Sequence, residues 1–330
     1  MTTHTDDYFE GVVGQTHVKK ALSFYLDKHR HNGSVMPNIL LTGFRGDGKS
    51  HLARKIARNF PDLSQPEKKH KAFYSFNGAS IKNISVFLEG IWTKLQSEND
   101  YLTIFIDEAH GLPKSVQTAM LSIMEKTRNH MTKYVHNDME YNFDFRKVNF
   151  ILATTEDDGI FHALKDRLTT FGLQPYTRKE LGEIVQMVVD DRCEISDSML
   201  TKISHYIRRN ARAANEMANH ILSFGCPVFE DEHFEALKEN LHLLDYGINE
   251  DELRVLEALS EGELSLGQLA CRVGRPSRAM QHELEPYLIS LKLMEIDGKR
   301  RITQKGKDFL AKVNGTFEEK VKTKDSGEQL

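Results

Sequence analysis

Up to about Lys165, short apolar runs alternate with longer helical stretches, the pattern of a mostly parallel sheet flanked by helices. Asn38-Ile-Leu-Leu-Thr42, Thr103-Ile-Phe-Ile106 and Phe150-Ile-Leu-Ala153 read as its buried strands. From Tyr176 to Leu244 the apolar spacing becomes helical and no strand-like run occurs, which predicts a small helical domain. Between Glu250 and Val313, three helix-like stretches precede Leu293-Met-Glu-Ile296, a turn at Asp297-Gly298, the basic run Lys299-Arg300-Arg301, and Ile302-Thr303. Helices followed by a hairpin predict a winged helix. Thr316 to Leu330 is charged and poor in apolar residues, and is expected to fray.

The strand tips carry the chemistry. Gly43-Phe44-Arg45-Gly46-Asp47-Gly48-Lys49-Ser50 fits GxxxxGK[ST], follows a strand and precedes the helical run His51 to Arg58. Glycines at 43, 46 and 48 let backbone N–H groups wrap phosphates, the helix start from Lys49 to His51 adds partial positive charge, and Lys49 reaches the β/γ-phosphates. The Ser50 hydroxyl suits Mg²⁺. The strand Thr103 to Ile106 ends in Asp107-Glu108 at the carboxyl edge of the same sheet, where open α/β folds bind ligands. Asp107 is placed to hold the metal shell and Glu108 to orient or polarise the attacking water. The third strand ends in Ala153-Thr154-Thr155-Glu156, and strand alternation leaves one threonine facing the site. Thr155 is the expected phosphate sensor.

Composition narrows the setting. At 330 residues the chain has room for two or three domains, and 39% hydrophobic with 28% charged residues suits a globular protein. The polar, acidic start and the lack of a long apolar run predict a cytoplasmic chain with no membrane span. Cys193, Cys226 and Cys271 fit neither a disulfide framework nor a CxxC metal site and are expected as buried free thiols. His29 and His31 are expected on a solvated helix face. The formal net charge of −4 hides an asymmetry. Val228 to Glu263 carries two Lys/Arg against twelve Asp/Glu, whereas Leu264 to Lys312 carries ten against five. Any nucleic-acid surface is therefore expected near the C-terminus.

The order of P-loop, Asp107-Glu-Ala-His110, Ala-Thr-Thr155 and Leu164-Lys-Asp-Arg167 resembles AAA+ ATPases. Val13-Gly-Gln-Thr-His-Val-Lys-Lys20, Leu173-Gln-Pro-Tyr-Thr177, Arg212-Ala-Ala-Asn215 and Glu285-Pro-Tyr-Leu-Ile289 narrow the likeness to the RuvB branch-migration motors, over nearly the whole chain. The resemblance implies an α/β AAA+ core with a parallel sheet at 1–174, a helical lid at 175–246, a winged-helix DNA-binding domain at 247–314 and a flexible tail at 315–330. It implies ATP and Mg²⁺, with Tyr176 near the adenine, Arg212 as sensor 2 in cis and Arg167 as an arginine finger in trans. It further implies a homo-oligomeric ring, a hexamer, that drives branch migration or translocation on branched or duplex DNA, read without base specificity.

The insertion at 126–148, around the turn His136-Asn137-Asp138, looks like the β-hairpin that docks a RuvA-like partner, with Met131, Tyr134 and Val135 as its apolar contacts. Lys299, Arg300 and Arg301 of the wing are expected to grip backbone phosphates. An AAA+ loader or remodeller acting on a protein partner, with the winged helix as adaptor, is the competing reading. The loop departs from the family pattern. The loop reads GFRGDGKS where the family usually has GPPGLGKT, and Asp47 is expected to point outward while backbone N–H groups make the phosphate contact.

Overall fold

Five parallel strands form the sheet that the apolar runs predict, in the spatial order Ala72–Asn77, Leu102–Asp107, Val148–Thr154, Ile39–Thr42, Thr169–Gly172. The computed structural model describes residues 8–60, 72–97, 101–125 and 127–325. They fall into two compact units: one runs to Ser204 and resumes over Arg209–Val228, and the other takes His205–Arg208 and everything from Phe229 on.

In the first unit, α1 (Thr16–Asn32), β1 (Ile39–Thr42), α2 (Lys49–Asn59), β2 (Ala72–Asn77), α3 (Ile84–Ser97), β3 (Leu102–Asp107) and α4 (Lys114–Ile123) follow one another. A two-stranded excursion, β4 (Met131–His136) and β5 (Met139–Asp144), precedes β6 (Val148–Thr154), α5 (His162–Lys165) and β7 (Thr169–Gly172). Helices α6 (Arg178–Val189), α7 (Asp197–Ser204) and α8 (Ala211–Ser223) complete it.

Alternation along the strands feeds two cores. Leu40, Ile104, Ile106, Phe150 and Leu152 face one side with residues of α3 and α4, while Ile39, Leu41, Phe105, Ile151 and Ala153 face the other with α1 and α2. Because β6 lies between β1 and β3, the carboxyl ends of the three strands emerge side by side, which sets the candidate site. Strands β2 and β7 are absent from the sequence expectation: Ala72–Asn77 is half-buried along its length and Thr169–Gly172 is a short polar edge.

The hairpin forms where expected, turning through Asn137 and Asp138, both at positive φ (49° and 60°), as a two-residue turn that follows the strand twist requires. Its register sets Thr132 opposite Phe143 and Tyr134 opposite Tyr141. Tyr134 therefore packs on its own core, which corrects its assignment to the outward surface; Met131 and Val135 do face out, and Met139, on the other face, is exposed at the hairpin tip. His29 corrects another expectation. It is buried, with Nδ1 2.7 Å from the Ser34 carbonyl and its ring against Phe60 and Tyr101, whereas His31 is exposed. Of the cysteines only Cys193 is buried; Cys226 is half-buried with its Sγ 4.0 Å away, and Cys271 is exposed.

In the second unit, α9 (Asp231–Asn240), α10 (Glu250–Ser260) and α11 (Leu266–Val273) precede α12 (Ser277–Ala279), a π-helical stretch (Met280–Leu284) and α13 (Glu285–Ser290). The hairpin β8 (Met294–Asp297) and β9 (Lys299–Ile302) and the long α14 (Gln304–Asp325) follow. Capping boxes at Asn249/Glu252 and Ser265/Gln268 start α10 and α11, and Gly274 in the left-handed region ends α11. A core of Val255, Leu256, Leu269, Leu288, Leu293 and their neighbours holds helices and hairpin together as a winged helix. Helix α14 continues past residue 315, because good helix formers such as Glu318, Glu319 and Lys320 follow Gly315; residues 326–330 lie outside the described part. No helix among the described residues is long and apolar enough to cross a membrane.

Candidate active site

The phosphate loop leaves β1 and enters α2 through Gly43, Gly46 and Gly48 at φ of 154°, 91° and 90°. Close approach constrains the second of these as well: a Cβ on Gly46 would stand 2.8 Å from Asn210 Oδ1 and 3.1 Å from Arg212 Cβ. Lys49, on the first turn of α2, is buried, and its Nζ donates to the Gly43 and Phe44 carbonyls at 2.8 Å each. Burial lowers its pKa, against the opposing pull of the Asp47, Glu108 and Asp107 charges. Ser50 Oγ donates to Asp107 Oδ2 at 2.9 Å, joining positions 57 residues apart in the chain.

Asp107 Oδ1 accepts the Glu108 N–H at 3.0 Å, and Glu108 sits in the left-handed region at φ 50°, a conformation costly for a residue with a Cβ. Gly78 lies against it, where a Cβ would fall 2.5 Å from the Glu108 carbonyl oxygen. Glu108 Oε2 accepts from Thr155 Oγ1 at 3.3 Å and lies 3.5 Å from His110 Nδ1. Thr154 instead is buried, with Oγ1 3.0 Å from that same His110 nitrogen. Of the two threonines, the one at Glu108 is thus Thr155.

A cleft of about 610 Å³ opens between these groups and α6 and α8. Arg45, Gly46, Asp47, Gly48, Lys49, Ser50 and His51 line it with Asp107, Glu108, Tyr176 and Arg212; Arg167 is outside it, with Nη1 on the Ala163 carbonyl at 3.1 Å. Arg212 is exposed and its N–H donates to the Gly46 carbonyl at 3.3 Å. Tyr176 is buried and its hydroxyl donates to the Asp47 carbonyl at 3.2 Å, so it braces the loop; burial pushes its pKa up to about 12. Apolar lining comes from Val12, Val13, Ile184 and Met187, none of which the sequence singled out. Val12 and Val13 had as their signal only an apolar pair ahead of Gly14-Gln15, and Ile184 and Met187 only the apolar spacing of α6. Gln15 is a second omission: its side chain both donates to and accepts from the Gln174 backbone, at 2.7 and 3.0 Å, fixing the strand exit beside Tyr176.

Asp47 does not point outward. It is 1% exposed, its Oδ2 accepts the Phe44 N–H at 2.7 Å beneath the loop, and burial pushes its carboxyl up to about 7. The wing also departs from expectation. Arg300 is half-buried in a two-pronged contact with the buried Glu285, at 2.8 and 3.3 Å, while Arg301 Nε donates to Glu295 at 2.9 Å with Asp297 and Glu263 at 4.0 Å. Lys299 alone of the three is exposed, the other two being half-buried. Arg300 is thereby corrected from a phosphate grip to a structural cation.

Comparison with known proteins places the chain in a family. Residues 5–173 match the model of the Holliday junction DNA helicase RuvB P-loop domain, and residues 245–311 match the RuvB C-terminal winged helix domain. The Holliday junction branch migration complex subunit RuvB of Mycoplasmopsis synoviae is 24% identical over 316 residues, covering 92% of this chain and 96% of that protein. Its counterpart in Campylobacter concisus is 28% identical over 327 residues, 95% and 90% of the two chains. Among solved structures, the Thermotoga maritima RuvB Holliday junction branch migration motor aligns with a TM-score of 0.73 at 24% identity, over 91% of this chain and 95% of the other, a likeness of fold. With more than half of its length matched by the P-loop model and its C-terminal part by the winged-helix model, the chain belongs to the RuvB family.

Proposed function

We propose that the chain is an ATP-hydrolysing DNA motor of the RuvB type, which turns over ATP at the Gly43–Ser50 loop to drive branch migration or translocation on branched or duplex DNA. The observation that carries this reading is the 2.9 Å contact between Ser50 and Asp107, with Glu108 next in the chain and held by Thr155. One hydroxyl and one carboxylate are hard oxygen donors of the kind Mg²⁺ takes when phosphate and water complete its shell. Bound there, the cation would neutralise charge on the β/γ-phosphates.

The protein's own groups do the rest. Loop N–H groups and the start of α2 bind phosphate, and Lys49 supplies a buried cation beside it. Glu108 accepts a proton from, or orients, the attacking water, and Thr155 fixes the carboxylate. Arg212 closes the cleft from α8. Arg167, outside its own cleft, is assigned to a neighbouring subunit's γ-phosphate in a hexameric ring. The outward Met131 and Val135 of the β4–β5 hairpin, 42% and 60% exposed, are assigned to a RuvA-like partner. A remodeller acting on a protein partner is the second reading, favoured by the pairing of Arg300 and Arg301 with carboxylates.

ATP turnover measured with and without a four-way DNA junction separates the two. A motor is expected to be stimulated by the junction and to separate its arms; turnover indifferent to DNA, alone and with a RuvA-like protein present, would transfer the assignment to the remodeller.

A further inference from the structure

The phosphate loop contains a donor and an acceptor that the usual GPPGLGKT lacks. Proline at position 44 would fix φ and remove the N–H. Phe44 instead offers an N–H in a loop whose floor is buried, and a buried donor left unmade costs more than an average hydrogen bond contributes. Asp47 meets that need: Oδ2 takes the Phe44 N–H at 2.7 Å, and the Asp47 N–H returns to the Phe44 carbonyl at 3.3 Å. Lys49 caps the Gly43 and Phe44 carbonyls, and Tyr176 caps that of Asp47. The loop is closed on itself at both ends of the 44–47 span.

From this geometry we infer that Asp47 is a positioning residue: its buried carboxyl staples the Phe44 N–H and holds the phosphate loop in its nucleotide-binding shape, the service that proline performs in the family pattern. Two of the loop's departures from that pattern, Phe44 and Asp47, are one compensating pair. The same contact explains why a carboxylate is tolerated next to phosphate. Its oxygen lies under the loop toward Gly43, where a Cβ would stand only 3.1 Å from it, while the backbone N–H groups keep the phosphate side. Preorganisation of this kind raises affinity by lowering the ordering cost of binding rather than by adding a contact to the ligand.

The inference rests on the nucleotide-binding reading of the loop, and a mutant cycle in the full chain separates the two. Asp47→Leu, Phe44→Pro, the double variant and Asp47→Asn are compared by titration with a fluorescent ADP analogue and by urea unfolding. Asp47→Leu strands the Phe44 N–H and is expected to weaken binding about tenfold, a figure within the usual range for a lost buried acceptor. Asp47→Asn keeps an oxygen at the same place and should bind within about threefold of the parent. Phe44→Pro alone strands the carboxyl, and the double variant should recover most of the affinity and of the unfolding midpoint. Equal binding by Asp47→Leu and the parent, or effects of the two single changes that add independently in both measurements, would overturn the staple. Failure of the parent chain to bind the analogue would sink the nucleotide reading, and the unfolding cycle would still decide whether positions 44 and 47 are coupled.

Discussion

The phosphate loop between β1 and α2 and the basic run of the wing on β9 are both short polar stretches, and both attracted functional assignments from sequence. In the loop the chemistry is fixed by backbone: three glycines at positive φ, a helix start, and side chains brought to the ends of β1, β3 and β6 by a parallel sheet. In the wing it depends on where long side chains settle. There Arg300 turns to Glu285 and Arg301 to Glu295, so that of three basic residues in sequence one stands exposed. A motif defined by backbone geometry carries its function into the fold, whereas a run of like charges is open to partners from anywhere nearby.

The sharpest way to break this contrast is at Glu108. Glu108→Gln keeps the size and an oxygen for the Thr155 contact but removes the negative charge proposed to act on water. Turnover is expected to fall by about 10² to 10⁴, the range of general acid–base catalysis, with nucleotide binding retained. Steady-state hydrolysis together with nucleotide binding checks this, and hydrolysis near the parent rate would remove Glu108 from the mechanism.

Next in size is the pair that diverts Arg300. Glu285 is 4% and Arg300 11% exposed, so Glu285→Ala leaves a cation stranded in the winged-helix core. Breaking a buried pair from one side costs about 3–5 kcal/mol. Hydrogen exchange at the Leu264 and Arg300 amides, which bond each other's carbonyls across the wing, should accelerate accordingly. Protection equal to the parent would mean that Arg300 is held by packing alone and is available to other partners.

The same contrast explains what could be read in advance. The buried strands β1, β3 and β6 announced themselves by unbroken apolar runs, and the choice of Thr155 over Thr154 followed from alternation of side chains along β6. Strand β2 escaped because its residues are half-buried and mix polar with aromatic side chains. Asp47 was misread because a carboxylate in a phosphate loop suggests repulsion, and only the fold reveals the Phe44 N–H beneath it. Tyr134 and His29 were misplaced for a related reason: their burial depends on register and on distant rings, Tyr141 opposite the first, Phe60 and Tyr101 around the second. The pairing of Arg300 with a residue fifteen positions earlier, on α13, has no local signature at all.

The smallest effect concerns Lys299, and it tests whether any of the wing's charge still reaches DNA. Lys299 is exposed at the tip of the hairpin, beside Gly298 at φ 68°, so its substitution touches no core contact. Lys299→Glu should leave unfolding within about 0.5 kcal/mol of the parent. If Lys299 neutralises a phosphate, duplex binding measured over a series of salt concentrations should weaken equally for unrelated sequences, and the slope of log affinity against log salt should become shallower by about one. Arg301→Ala gives the comparison: with carboxylates of Glu295, Asp297 and Glu263 around it, its charge is already offset, and its removal should change the slope less than Lys299→Glu does. A slope unchanged by Lys299→Glu and shifted by Arg301→Ala would reverse this order, placing the phosphate contact on the side of the hairpin where the acids are and requiring that Arg301 leave Glu295 when DNA binds.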